Sequence, residues 1–378
     1  MSLRIPLAKP EVTDADREAV LDVLRSPSLS MGPKLDEFEK AISIYTGSKF
    51  AVAVNSGTSA LHLALKTLDL SPGGEVILPS FTFVAPLNVL LQEKLQPVFV
   101  DIDSRTINVT PEIIEAAITT ETKAIIAIHT FGRPVAMDQL RAIADRHGIF
   151  LIEDACEALG AEVVEKKVGS FGDVGILAFY PNKQITTGEG GMFLTSNKEL
   201  ADHARRLRNQ GRDPSLDWYQ QAEKGYSYRL SDINCALGIE QLRRIESIIN
   251  RRQALTLLYE ERLAGCDGIL TPALEVAEGK ISWFTYVIQL TKNFDRNDRD
   301  WICDRLISHG IGAGRYFAPL HRQPVLKNFA PQPNLPVTDH VADRVIALPF
   351  FNQMTKAEIH EVCDTLTASL DELRRRKT

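Results

Sequence analysis

From residue 50 onward, short apolar runs alternate with stretches of helical periodicity, and this rhythm constrains the fold more than any other feature of the chain. The run 50–54 precedes a helical pattern opening near Ser59, 75–79 precedes one from Val84, and 97–102 precedes 111–118. Further on, 124–128 precedes 137–147, and 149–152 leads into Glu153. Parallel strands need crossover connections and are buried on both faces, so the alternation predicts βαβ units and a mostly parallel sheet covered by helices on each side. The runs 174–179 and 191–195, separated by a turn rich in Thr and Gly, are expected to join the same sheet. Two helices, 14–25 and 34–45, flank the loop 26–33 ahead of it. Beyond it, 231–263 has a long helical pattern without Pro. That helix is expected to link a large domain, 1–250, to a smaller α+β domain, 251–378, in which strand 284–290 mixes with helices 299–309 and 356–374. The fold class is α/β.

Composition narrows the possible partners. The chain has 378 residues, 44% of them hydrophobic, enough for a large core. The formal net charge is -6 and Lys and Arg are scattered. Without a basic stripe, nucleic acid and anionic membranes are excluded as expected partners, and any bound anion must be caught by a few local donors. Cys156, Cys235, Cys266, Cys303 and Cys363 form no C-x-x-C pair, which indicates reduced thiols. Residues 1–12 hold no apolar stretch of signal-peptide length, and no segment offers about 18 uncharged apolar residues. A cytoplasmic protein without a metal site is expected.

In open parallel sheets, ligands sit beyond the carboxyl ends of the strands. Several segments fall there. Asn55-Ser56-Gly57-Thr58-Ser59 opens a helix after a strand. Its free N–H groups and hydroxyls suit a phosphate, although an ordinary cap by Ser56 or Thr58 is the commoner use of such residues. Pro79-Ser80-Phe81-Thr82-Phe83 brings two aromatics to a strand end, where each either lies on a heteroaromatic ring or fills the core. Glu153 and Asp154 end a strand, so their side chains point opposite ways and one of them can meet a cationic ring nitrogen. Solvation or helix capping explains that segment equally well. Lys183 follows a strand and the turn Tyr180-Pro181-Asn182. A lysine shielded from water can form an imine, whereas an isolated exposed one only solubilises. Arg229, just before the helix cap Ser231-Asp232, has no sequence-local partner and can serve an anion.

As an ordered set, these segments resemble the DegT/DnrJ/StrS family of sugar aminotransferases, which have pyridoxal phosphate (PLP) fold type I. The resemblance runs from Ile5-Pro6-Leu7 and Gly32-Pro33-Lys34 to Pro319-Leu320-His321-Arg322-Gln323-Pro324 and Leu348-Pro349. It implies a large α/β/α sandwich with a smaller α+β C-terminal domain. It implies that Lys183 holds PLP as a Schiff base and shuttles the proton. Asp154 then pairs with the pyridine nitrogen, Phe83 stacks on the ring, and Gly57, Thr58 and Ser59 bind the phosphate. Glu157 falls near the ring's phenolic oxygen, where the family often has Gln or His. Ala178 stands where many members have a phosphate-binding Ser, and Ser227 where many have an Asn reaching over from the partner subunit. Arg229 belongs to the same cofactor-side segment. The implied reaction moves an amino group from glutamate to a nucleotide-linked keto-sugar, in surface polysaccharide or amino-sugar biosynthesis, within a homodimer with shared active sites. Ser30, Met31 and His321 are candidates for the sugar pocket, and a structural role for His321 is equally open. A keto-inositol acceptor is an alternative. Dehydrating relatives carry His in place of the lysine, so Lys183 argues against dehydration. Intact Lys183 and Asp154 argue against a non-catalytic regulator.

Overall fold

Alternate residues of the main-sheet strands feed different cores. In the strand Phe50–Val54, Val52 and Val54 enter one buried cluster while Ala51 and Ala53 enter another on the opposite face. Ile126 and Ile128 of Thr122–Ile128 likewise separate from Ile125 and Ala127. Burial on both faces is what a parallel sheet requires. A computed structural model describes residues 3–213, 215–217, 220–327, 329 and 332–377.

The main sheet has seven strands in the spatial order Phe50–Val54, Gly191–Thr195, Val174–Ala178, Phe150–Asp154, Thr122–Ile128, Glu75–Pro79, Gln96–Val100. Gly191–Thr195 runs antiparallel to both of its neighbours, and the remaining pairings are parallel. The parallel strands therefore open their carboxyl ends onto one edge. Gly57–Thr67, Ala85–Gln92 and Lys198–Arg208 pack against one face, and Pro33–Thr46, Asp232–Arg243 and Met137–His147 against the other. The helix Asp14–Arg25 starts where the sequence places it, fixed by a Thr13/Asp16 capping box.

The expected single helix over 231–263 is two helices, Asp232–Arg243 and Ile245–Leu263, parted at Arg244. Tertiary contacts break it. The Arg244 guanidinium donates to Asp16 Oδ2 at 2.7 Å and to the Glu11 carbonyl at 3.1 Å, on the N-terminal segment. The second helix serves two cores. Ile245, Ile248 and Ile249 pack with the large sheet, whereas Leu255, Tyr259 and Leu263 pack with a smaller three-stranded sheet. That sheet is Ile269–Leu270, Tyr286–Leu290 and Val345–Leu348, backed by Arg296–Ser308 and Lys356–Lys377. Ile5, from the start of the chain, also enters this core, and its amide donates to the Gly310 carbonyl at 3.0 Å.

Two backbone segments lock the smaller part onto the larger one beside the sheet edge. Ser282 N–H donates to the Gly132 carbonyl at 3.0 Å, and Phe284 N–H donates to the Phe131 carbonyl at 3.3 Å. Gly132 has φ +88°, and a Cβ there would lie 1.8 Å from the Ser282 carbonyl oxygen. Only glycine admits both the conformation and the approach. Gly132→Ala is expected to destabilise the chain by about 3 kcal/mol, measured as a lowered urea midpoint. An unchanged midpoint would mean that this junction yields freely.

Candidate active site

The carboxyl edge of the sheet encloses a cavity of about 290 Å³. Each parallel strand around it delivers its last residue or the turn that follows. Ser56, Gly57 and Thr58 follow Val54; Thr82 and Phe83 follow Pro79; Ile128, Asp154 and Ala178 end their strands; Lys183 lies beyond Ala178. The sequence segments expected at the strand ends therefore meet in one place.

Alternation at the end of Phe150–Asp154 separates the two carboxylates. Glu153 is fully buried away from the cavity. Its oxygens accept from the amides of Gly169 (2.6 Å), Phe171 (2.8 Å) and Gly172 (3.3 Å), and lie 3.0 Å from His129 Nε2. His129 Nδ1 accepts from Val135 N–H at 3.1 Å, which leaves the ring proton on Nε2 to donate to Glu153. Asp154 lines the cavity, and its Oδ1 accepts from Cys156 N–H at 3.0 Å.

Lys183 Nζ enters the same cavity 3.6 Å from Glu157 Oε1 and 4.2 Å from the centre of the Phe284 ring. Glu157 Oε2 accepts from Phe131 N–H at 2.9 Å. Burial pushes the Glu157 carboxyl above the usual range, and the charge of Asp154 adds to that, while Lys183 and the Phe131 amide pull the other way. Burial, then the Asp154 charge, also raises the neighbouring Cys156 thiol, so it stays protonated. Gln184 ties this wall together, its Nε2 donating to the carbonyls of Glu157 (2.6 Å) and Ser282 (2.9 Å).

The helix start divides its donors. Ser56 caps Gly57–Thr67 by accepting from Ser59 N–H at 3.0 Å, and the Ser59 hydroxyl donates to Asn55 Oδ1 at 2.7 Å. Gly57 and Thr58 line the cavity, and Ser59 does not. Gly57 touches the opposite wall closely, since a Cβ there would fall 2.8 Å from Ala178 Cβ and 3.1 Å from Cys156 Sγ. The two aromatics of the second segment also divide. Phe81 fills the core, and Phe83 lies at the cavity with 58% of its surface exposed.

Other expected residues lie outside the cavity lining of this chain. Ser227 Oγ accepts from Arg229 Nη2 at 2.8 Å, and Arg229 Nη1 donates to Asn209 Oδ1 at 3.2 Å. Ser30 forms a bridge with Ser231, and Met31 is a partly exposed loop residue with φ 56°. His321 is buried, with Nδ1 2.6 Å from Ser80 Oγ and Nε2 3.1 Å from Asp339 Oδ1. Burial pushes its pKa down. Its contacts are those of a brace between the strand end at Ser80 and the helix Pro336–Ala342. Sequence reasoning missed Phe284, Tyr316 and Phe317, which close the cavity from the C-terminal part of the chain, and Asn182, Tyr180 and Glu189 beside the lysine. The aromatic pair just before Ala318-Pro319, in a stretch with neither strand nor helix period, was the available signal.

An amine, a carboxylate on a strand end, a carboxyl beside the amine and a helix N-terminus share one cavity. This donor set fits PLP, with Lys183 for the aldehyde carbon, Asp154 for the ring nitrogen and the Gly57–Thr67 helix start for the phosphate. The cavity wall carries few competing cations, and Asp154 has one carboxylate oxygen held by the Cys156 amide and its side chain facing the cavity, as a partner for a ring nitrogen needs. Fold and site together define a PLP-dependent aminotransferase of the type I fold. Residues 10–367 match the DegT/DnrJ/EryC1/StrS aminotransferase family, and the chain belongs to it. It is 36% identical to GDP-perosamine synthase of Caulobacter vibrioides over 371 residues, covering 98% of each chain. It is 33% identical to the spore coat polysaccharide biosynthesis protein SpsC of Bacillus subtilis, covering 96% of each. Among solved structures it superposes on Spr1654 of Streptococcus pneumoniae in its PMP form with a TM-score of 0.94 at 27% identity, covering 99% of this chain and 100% of that one. Spr1654 has also been solved in a PLP form.

Glu153→Ala would strip the acceptor from three amides, one buried and two part-buried, and from His129. A loss of about 3 kcal/mol or more in chemical denaturation is expected. A variant as stable as the parent would remove Glu153 as the anchor of this strand end.

Proposed function

We propose that this sugar aminotransferase moves an amino group from glutamate to a keto-sugar carried on a nucleotide, for an amino-sugar of a surface polysaccharide. The observation that carries the reading is Lys183 and Asp154 entering one cavity at the carboxyl ends of neighbouring strands. The names of two relatives support the substrate class, one a GDP-perosamine synthase and one a polysaccharide biosynthesis protein.

When bound, PLP accepts the amino group and withdraws electrons from the carbon that loses its proton. The chain supplies the rest. Lys183 Nζ holds the cofactor and, once released, takes the proton from one carbon and returns it to another. Asp154 keeps the ring nitrogen protonated, and its shielding from water strengthens that pairing. Gly57 and Thr58 offer N–H groups and a hydroxyl to the phosphate, with Ser59 acting through the cap it shares with Ser56 and Asn55. Phe83 packs on the ring face. Phe284 and the aromatic pair Tyr316-Phe317 exclude water from the reacting side.

The site reads as completed by a second copy of the chain. Phe83 and Tyr180 are 58% and 52% exposed at the cavity, and Ser227 and Arg229 sit outside its lining. In a homodimer with shared sites, the partner would cover that face and bring its 227–229 segment to the phosphate, with Ser30 and Met31 bordering the sugar. Among the described residues no helix is long and apolar enough to cross a membrane. We place the reaction in the cytoplasm, where nucleotide-linked substrates are available.

Borohydride is expected to fix a pyridoxyl group on Lys183, located by peptide mass. Lys183→Ala is expected to lose that label and to slow amino transfer by at least about 10²–10⁴-fold. A label found on another lysine would sink the assignment. Incubating the enzyme with glutamate and a panel of keto-sugar nucleotides should yield an aminated product by mass, and turnover of free keto-inositols alone would move the acceptor class. Ala178→Ser is expected to tighten PLP binding by about 1–3 kcal/mol, a roughly 5- to 150-fold lower Kd, by supplying a donor that the cavity wall lacks. An unchanged Kd would show that the phosphate does not reach residue 178.

A further inference from the structure

The cavity holds more acid than base. Asp154, Glu157 and the exposed Glu189 line it with one ammonium, Lys183, and among the described residues no other Lys or Arg does. The two buried carboxyls of the cavity, Asp154 and Glu157, differ from nearby Glu153 in their hydrogen bonding. Glu153, behind the strand, is saturated by three amides and an imidazole, whereas Glu157 has one amide, from Phe131, and Lys183 at 3.6 Å. Glu157 is about nine-tenths buried, so water does little to stabilise its charge. The other titratable groups that face it are the Asp154 carboxyl, the Cys156 thiol and the Tyr316 phenol. The phenol and the thiol are neutral, both pushed up by burial and by nearby carboxylate charge, and neither neutralises a carboxylate.

PLP adds a phosphate and a ring oxygen that carry negative charge to this enclosure. Asp154 answers the protonated ring nitrogen. Condensation of the Lys183 ammonium with an aldehyde carbon forms the C=N bond, expels the aldehyde oxygen as water and consumes no net proton when the imine stays protonated. The amine's positive charge is then shared with the ring oxygen, and Glu157 loses the counter-charge that it holds in the free protein. We propose that Glu157 takes up a proton when PLP enters, so that it acts in the holoenzyme as a neutral hydrogen-bond donor and links cofactor affinity to pH. This proposal rests on the assignment of Lys183 and Asp154 to the cofactor.

The sign follows from linkage. A group that binds a proton more tightly in the complex than in the free protein makes binding weaker as pH rises between its two pKa values. In that window log Kd should climb by up to about one per pH unit, a tenfold loss of affinity. Glu157→Gln places a permanent neutral donor there, so its Kd should climb less steeply with pH and lie below the parent value at the alkaline end. Positioning by shape alone would not remove the proton.

The test is calorimetric titration of PLP into the full-length cofactor-free protein at one pH, in two buffers of different ionisation enthalpy, for the parent and Glu157→Gln. About one more proton taken up per site by the parent than by Glu157→Gln is expected. Equal proton uptake in the two proteins overturns the proposal. If Glu157→Gln does not fold, the parent's log Kd against pH decides. A rising slope supports proton uptake, and a flat line overturns it. Absence of any PLP binding to the parent, with no visible absorption band, instead overturns the cofactor assignment and this proposal with it.

Discussion

At the carboxyl end of Phe150–Asp154 two adjacent carboxylates leave the strand on opposite faces, because successive strand side chains must alternate. The inner one, Glu153, gathers the 169–172 turn and His129 around itself. That network closes the buried side of the strand end, and the His129 amide donates to the Asp154 carbonyl at 3.2 Å. The outer carboxylate is thereby held at the cavity with few protein partners of its own. A buried acid saturated with donors is structural, and a neighbouring acid left open is available to a ligand. The rest of the cavity is arranged around that second acid.

The amine is positioned from the other side by the C-terminal part of the chain. Phe284 lies over Lys183 Nζ because its own backbone is pinned twice. Its amide donates to Phe131, and its carbonyl accepts from the buried Arg252 guanidinium at 3.0 Å. Arg252 also donates to the Trp283 carbonyl, and burial pushes its pKa down to about 10. A cation buried against carbonyl oxygens holds this junction through directed hydrogen bonds. The helix Ile245–Leu263 carries Arg252 and contributes to both cores, which ties the small sheet and the cavity wall to the large sheet.

Much of the fold was legible in the chain, and the failures are informative. Phe50–Val54, Glu75–Pro79 and Gly191–Thr195 lie where their apolar runs predict, since four or five consecutive buried residues between polar turns leave few alternatives. The helix Lys198–Arg208 was missed although Ala201, Ala204 and Leu207 recur at helical spacing, because its apolar face is narrow and built mainly of Ala among many charged residues. The strand Val345–Leu348 was missed as a four-residue apolar run with no repeat to frame it. Arg244 read as an interior helix residue, and only its distant partners Glu11 and Asp16 explain the break. In the site, Gly57, Thr58, Phe83, Asp154 and Lys183 were named from local pattern and Glu157 from the family resemblance, and all of them share one cavity. Ser59, Ser227, Arg229, Ser30, Met31 and His321 do not line it in the single chain.

The sequence by itself determined the period of strands such as Phe50–Val54 and Glu75–Pro79, the parity that splits Glu153 from Asp154, and the presentation of Lys183 after a strand and a proline turn. These depend on neighbours a few residues apart, where backbone geometry leaves little freedom. The tertiary structure alone decided which acid meets the amine, that Phe284, Tyr316 and Phe317 complete the wall, and that His321 braces Ser80 rather than facing the cavity. Those contacts join residues a hundred or more positions apart in most cases, and a one-dimensional pattern carries no term for such distances. They are fixed by how two cores pack around one shared helix.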